Sequence, residues 1–379
     1  MAKIRTSECG KRLGLFTRPS WRRFPGVAMF CRVSQADHAD RLRPSVATPC
    51  KPSTINNVLE PFLLDRRLLP KVWGGRALQD KLGIPLPGAD AADAQPIGEA
   101  WELFDRPDGS SKLRGTETRL ADLMRSDAEA IVGRGVRLGY GGTFPLMLKF
   151  IDAHRGLSLQ VHPSDRDAKG DMGKNECCLI LHARDDARIV HGVKPGVDRD
   201  ELLAKWETAE VESILYSFAP EVDDMIHIPP GTPHSLGPGL VAFEVQENSD
   251  QTYRFYDWGR GRETHVDCAR DVVNLVANER PPVKRSTSLP DGGELLLATE
   301  HFVVRRYELA RRIELATSGR YLTLTVLNGS GRLQWASGAN ESSLAVGKCD
   351  TVLVPACVSM VAVEPDGEID FVACDPGTR

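Results

Sequence analysis

The chain has 379 residues, 41% apolar and 26% charged, with 48 Lys and Arg against 52 Asp and Glu for a formal net charge of −4. This composition fits a soluble folded protein and excludes disordered and fibrous classes, and no uninterrupted apolar run approaches the roughly 20 residues of a membrane span. Residues 1–57 hold eleven Lys and Arg against Glu8, Asp37 and Asp40, a surplus of +8 that leaves −12 on the remainder, an acidic body unsuited to nucleic acid.

That basic leader has no sustained period, and its apolar stretch Leu13 to Phe16 is cut off by Arg18, too short for a secretory core. It is expected to be a disordered tail or the product of a start assigned too far upstream. The nine cysteines show no C-x-x-C spacing and cannot all pair within one chain, so reduced thiols and a cytoplasmic setting are expected.

From Val58 the texture becomes compact. Leu120, Leu123, Met124 and Ile131 recur at helical spacing within 118–133, and 198–207 offers a second short helix with acidic residues in its first turn. The runs at 144–153, 157–163, 176–183, 224–231 and 239–246 are short, β-rich and bounded by Gly, Pro, Asp or Asn, as in an antiparallel sandwich or barrel. Residues 281–290, "PPVKRSTSLP", read as a linker, and strands follow at 301–309, 320–335, 350–363 and 368–374. The chain exceeds what one core usually supports, so we expect a metal-binding β domain at 58–280 carrying a helical insertion and a second β domain at 291–379. Laying "DTVLVPACVSMVAV" beside "DMIHIPPGTPHSLG" suggests a weak internal repeat with Met360 where His234 stands, a second barrel without the polar pocket.

Four segments supply metal-type donors. Strand alternation puts Ser158, Gln160 and His162 on one face and Leu157, Leu159 and Val161 on the other. "GKNECC" sets Lys174 and Glu176 two apart, and "IPPGTPHS" presents His234 after a Pro-Gly turn. Two imidazoles, a carboxylate and an amide oxygen make an N/O site that Zn²⁺ accepts readily, with open positions for catalysis. Each fragment also has an ordinary reading: Gln160 bonded to a loop, Glu176 paired with Lys174 at the surface, His234 as a turn residue. In 241–246 the odd positions are apolar, which turns Glu244 inward, where a carboxylate is costly unless paired or functional. Lys149 is either a lysine snorkelling to solvent or a cation held for an anionic substrate. Asp250 and Arg254 either pair within their loop or serve the site.

"PLMLKFIDAHRGLSLQVHPSD", "GKNE", "IHIPPGTPHSLGPG" and "EVQENSDQTYRFYDWGR", with "LLPKVWGGRAL" and "GEAWELFDRP" before them, resemble type I mannose-6-phosphate isomerases of the short bacterial form over roughly residues 59–280. The resemblance implies a mainly β fold of two cupin-like (jelly-roll) barrels with a few short helices, the second free of metal. It implies one Zn²⁺ per chain on Gln160, His162, Glu176 and His234, and a catalytic Arg254. Lys149, Lys174, Glu244 and Asp250 match charged residues lining the family's site. "ECC" departs from the aromatic expected after the glutamate, and residues 1–57 match nothing.

The expected reaction interconverts mannose 6-phosphate and fructose 6-phosphate through an enediol(ate). Arg254 would stabilise the developing charge, Glu244, His234 or Lys174 would carry the proton, and Arg260 with the lysines would receive the phosphate. A non-haem iron cupin oxygenase is the alternative within the fold, and a non-catalytic sugar-phosphate sensor the alternative outside enzymology. The partner in either isomerase or sensor is a small sugar phosphate, with no nucleic acid and no membrane; oligomeric state is left open.

Overall fold

Alternation along three long antiparallel strands places the interior of this protein. The structure is a computed structural model that describes residues 59–88, 95–275, 278, 283–284, 286–338 and 340–377, all within the compact unit 50–379. The leader 1–57 lies outside the described residues, as do 281, 282 and 285 of the expected linker.

Strand Leu240–Glu247 pairs residue for residue with Leu146–Ala153, placing Glu244 opposite Lys149 and Phe243 opposite Phe150. On its other side it pairs with Glu176–Ala183, placing Gln246 opposite Glu176. One face therefore carries Leu146, Leu148, Phe150, Val241, Phe243, Val245, Cys177 and Leu179 into a large apolar core. The opposite face carries Lys149, Glu244, Gln246 and Glu176, all buried. These strands sit in a seven-stranded sheet ordered Val283–Lys284, Met225–Ile228, Glu176–Ala183, Leu240–Glu247, Leu146–Ala153, Ile97–Leu103, Arg67–Gly75. A five-stranded sheet, ordered Leu215–Phe218, Ile189–Val193, His234–Leu236, Leu159–Val161, Tyr253–Tyr256, supplies the other wall. Trp73, Ile151, Ile180, Ile189, Phe218, Leu236 and Ala242 pack together between the two sheets and close one end of the barrel with hydrocarbon.

The outer face of the five-stranded sheet is covered by Arg199–Lys205 and Val266–Val272, short helices that bury Leu202 and Ala269 against Trp206, Val211 and Phe255. Arg199–Lys205 starts at Asp198, whose carboxylate accepts from Glu201 N at 2.8 Å and caps the helix. The helix expected at 118–133 forms over Leu120–Val132 and buries Leu120, Met124, Ile131 and Val132.

A ten-stranded sheet holds the C-terminal strands, the longest being Leu322–Ser337 and Met360–Pro376. Tyr307, Leu324, Trp335, Val346, Val361 and Phe371 form its apolar interior. Phe62–Asp65, at the other end of the sequence, joins this sheet, with Phe62 opposite Leu353. The apolar core behind the first barrel is shared with this sheet through Phe302, Tyr321, Leu353, Val372 and Cys374, so the two sheets stand back to back. Met360 begins its strand as His234 begins its own, but Met360 is 45% exposed and His234 is buried.

Candidate metal centre

The polar end of the barrel is assembled by backbone contacts between segments far apart in sequence. Gln160 lies opposite His234 in the five-stranded sheet, and His191 flanks His234 on the other side. Gly231, in the turn before His234, has φ +82 and donates its N–H to the His162 carbonyl at 2.8 Å, a conformation glycine adopts without a Cβ penalty. Lys174 N donates to Pro163 O at 3.0 Å, which fixes the strand carrying Glu176 beside the turn after His162.

Carbonyl oxygens only accept hydrogen bonds. His162 Nδ1 lies 2.9 Å from Gln251 O, and His234 Nδ1 lies 2.9 Å from Thr232 O, so both imidazoles carry the proton on Nδ1 and turn a bare Nε2 inward. Both bare nitrogens face one oxygen: Glu176 Oε1 is 3.1 Å from His234 Nε2 and 3.4 Å from His162 Nε2. The Gln160 amide reaches within 3.2 Å of His234 Nε2, and its two ends are isosteric, so its oxygen can occupy that position. Acceptors turned on one another with no proton between them call for a cation, and backbone carbonyls gripping the far nitrogens of histidine ligands are the usual second layer of such a site.

Electrostatics keep the donors in ligand form. Burial, helped by the Lys174 charge, depresses His162 to about 3, so its ring is neutral. Burial pushes the Glu176 carboxyl up, but the adjacent Lys174 charge opposes this and the carboxyl is held well below its ordinary value. Lys174 Nζ lies 2.7 Å from Glu176 Oε2 and 3.2 Å from His162 Nε2. The Lys174–Glu176 pair, whose ordinary reading put it at the surface, is buried.

Around these donors runs a chain of alternating charge. Lys149 Nζ is 2.7 Å from Glu244 Oε1, and Lys174 Nζ is 3.9 Å from the same oxygen. Lys149 is buried rather than snorkelling. Burial raises the Glu244 carboxyl, with Lys149 partly offsetting it, and the Cys178 thiol donates to Glu244 Oε2 at 3.8 Å. That thiol stands in the stretch where an aromatic was expected. Arg254 lies opposite Gln160; its Nε donates to Ser158 Oγ at 3.2 Å and its Nη1 to Glu263 O at 2.6 Å. Two residues escaped the sequence reading. Glu99 and Trp101 share the inner face with Lys149, Trp101 Nε1 donates to Glu99 Oε2 at 2.7 Å, and Lys71 Nζ stands 3.2 Å from Glu99 Oε1. The signal present in "GEAWEL" was the occurrence of Glu99 and Glu102, three apart, within an otherwise apolar strand buried on both faces.

Asp250 and Arg260 stand apart. Asp250 is exposed. Arg260 is committed to Asp257 at 2.8 Å and to Gly156 O at 2.7 Å, and it lines a cavity of about 550 Å³ with Val190, Ser217 and Ser235. Those three pair across the sheet in the register alternate to His191 and His234, so that cavity is on the outer face. Neither residue joins the buried charge chain around the metal donors.

Fold and site together define a metal-binding cupin barrel with a second, apolar barrel behind it. Residues 62–197 match the family described as phosphomannose isomerase type I, catalytic domain. A probable mannose-6-phosphate isomerase of Bacillus subtilis, GmuF, is 30% identical over 290 residues, covering 72% of this chain and 87% of the relative. A mannose-6-phosphate isomerase of Streptococcus mutans is 27% identical, covering 83% and 98%. The crystal structure of the mannose 6-phosphate isomerase from Bacillus subtilis superposes with a TM-score of 0.73 at 26% identity, covering 83% of this chain and 99% of that one. The chain belongs to the type I phosphomannose isomerase family, whose members depend on a metal. No helix among the described residues is long and apolar enough to cross a membrane.

Proposed function

We propose that this chain is a metal-dependent aldose–ketose isomerase that interconverts mannose 6-phosphate and fructose 6-phosphate, with one zinc held by Gln160, His162, Glu176 and His234. The observation that carries the reading is the convergence of two Nδ1-anchored imidazoles on one oxygen of Glu176. The donor set suits zinc and would also accept cobalt, manganese or nickel. The bound ion would supply Lewis acidity toward the sugar oxygens, on the order of several kcal/mol.

Proton transfer between C2 and C1 requires a base and a receptor for the charge that grows on the two oxygens. Glu244 is the base in this reading: burial raises its carboxyl above the ordinary value and so strengthens it as a proton acceptor, while Lys149 fixes one oxygen and Cys178 the other. Arg254 holds the enediolate, its guanidinium fixed in advance by Ser158 and the Glu263 carbonyl, so little reorganisation accompanies the charge. Lys174 keeps Glu176 ionised and adds positive charge at the same end of the barrel. Lys149 serves the anionic substrate through the same buried pair. The thiols of Cys177, Cys178, Cys268, Cys349 and Cys374 suit a reducing, cytoplasmic setting. We keep the division into a metal barrel at 58–280 and a C-terminal barrel at 291–379 as the working domain description, with Phe62–Asp65 crossing it.

A coupled assay with mannose 6-phosphate tests the reading. Turnover should vanish with a chelator and return with zinc, and Arg254→Ala should abolish it; a folded, zinc-loaded protein without turnover would overturn the proposal and favour the sensor.

A further inference from the structure

One buried charge cluster lies outside the site and touches both barrels. Glu247 ends the strand that carries Glu244, and it clasps Asn175 twice: Glu247 Oε2 accepts from Asn175 N at 2.9 Å, and Glu247 N donates to Asn175 O at 3.0 Å. Asn175 is the residue between Lys174 and Glu176. The other Glu247 oxygen is held by His301 Nδ1 at 3.0 Å and Arg137 Nη1 at 3.5 Å. Arg137 also pairs with Asp165, whose Oδ1 accepts from Gly173 N at 3.0 Å and which lies three residues after His162. His301 is only 10% exposed at its side chain, and its carbonyl accepts from Gly377 N at 3.0 Å within the C-terminal sheet.

We infer that His301, a residue of the C-terminal barrel, is a positioning residue for the segment Lys174–Asn175–Glu176 and acts through Glu247. The inference rests on the metal-dependent isomerase reading, since that reading gives Glu176 and Lys174 their tasks. It assigns the second barrel a part in the reaction although that barrel contributes no atom to the metal centre. Without the His301 N–H, Glu247 keeps one longer contact to Arg137, and the carboxylate is free to leave the Asn175 amide. Asp165, Glu247 and His301 could by themselves be read as a second cation site, but the Arg137 guanidinium already pairs with both carboxylates. A cavity of about 90 Å³ beside His301, lined also by Met172, Arg320 and Tyr321, has room for a few waters, so shortening the side chain extends an existing space.

The test uses the full chain and two variants, His301→Ala and His301→Asn; the asparagine amide can reach the position of Nδ1. In metal-free protein, hydrogen exchange of the peptide spanning Met172–Cys178 should be about tenfold faster in the alanine variant. In zinc-loaded protein its kcat should fall at least about tenfold with KM within twofold, the range for residues that orient ligands from behind, and the asparagine variant should restore both to within about threefold. The inference is overturned if the alanine variant stays within twofold in both readouts. It is equally overturned if both variants lose activity alike while exchange quickens across the whole protein. Exchange needs neither metal nor substrate, so a parent protein without turnover would count against the isomerase reading while the exchange data still decide the role of His301.

Discussion

Lys149→Met should reveal how much the buried charge chain costs when one member is lost. Lys149 and Glu244 are both about 6% exposed and 2.7 Å apart; at an effective dielectric of about 20 the attraction is about 6 kcal/mol before desolvation is counted. Two neighbours soften the loss. Lys174 stays 3.9 Å from the same Glu244 oxygen, worth about 4 kcal/mol by the same arithmetic, and Glu99 keeps Lys71 at 3.2 Å. We therefore expect a net destabilisation near the low end of the range for breaking a buried pair, about 3 kcal/mol. Glu244, already raised by burial, rises further once Lys149 no longer offsets it. A carboxyl whose folded-state pKa lies above its unfolded value stabilises the fold at low pH and loses that contribution as pH climbs through the folded value, so the deficit should grow toward alkaline pH. Adding Glu244→Gln removes the orphaned charge and should recover most of the stability without recovering activity. Urea denaturation of the two variants and the parent, at acidic and neutral pH, reads all of this. A deficit under about 1 kcal/mol, one that ignores pH, or one that Glu244→Gln does not relieve would refute the reasoning.

Glu102 is fully buried and raised to about 7 by burial, which Arg66 at 2.9 Å only partly offsets. It should cost the parent on the order of 3 kcal/mol as pH rises from its unfolded value through 7, so thermal melting across that range should fall in the parent and stay flatter in Glu102→Gln. Arg254→Lys keeps the charge but loses the fork that Ser158 and Glu263 orient; kcat should drop about 10²- to 10³-fold with KM little changed in steady-state assays. Gly133 has φ +101, and a Cβ there would collide with Gly319 O. Gly133→Ala should therefore cost more than about 1 kcal/mol, measured by denaturant midpoint.

The proposed ligand residues were legible because each sits where alternation or a turn marks it: Gln160 and His162 two apart, Glu176 two from Lys174, His234 after a Pro-Gly turn. Their common destination was not, since it depends on registers such as Gln160 opposite His234 and Gln246 opposite Glu176. The groups that fix the imidazoles, Thr232 O and Gln251 O, are carbonyls and carry no residue signature. Glu99 and Trp101 were hidden because Ile97–Leu103 is buried on both faces, which blurs the alternation of a one-sided strand. Arg260 was read only as a cation able to receive a phosphate, and its contacts to Asp257 and Gly156 O arise in the segment after Tyr253–Tyr256, which strand alternation does not describe. The strand Phe62–Asp65 gave no sign that it would pair near Leu353, because pairing across almost the whole chain is set by the finished fold rather than by local sequence.

The most direct test of the account is a zinc titration of chelator-stripped protein, followed by isomerisation of mannose 6-phosphate and run in parallel with His234→Ala. The account predicts activity that rises from nil and saturates at one equivalent in the parent, with no tight binding and no activity in the variant. Turnover by the metal-free protein, or unchanged zinc binding in His234→Ala, would contradict it.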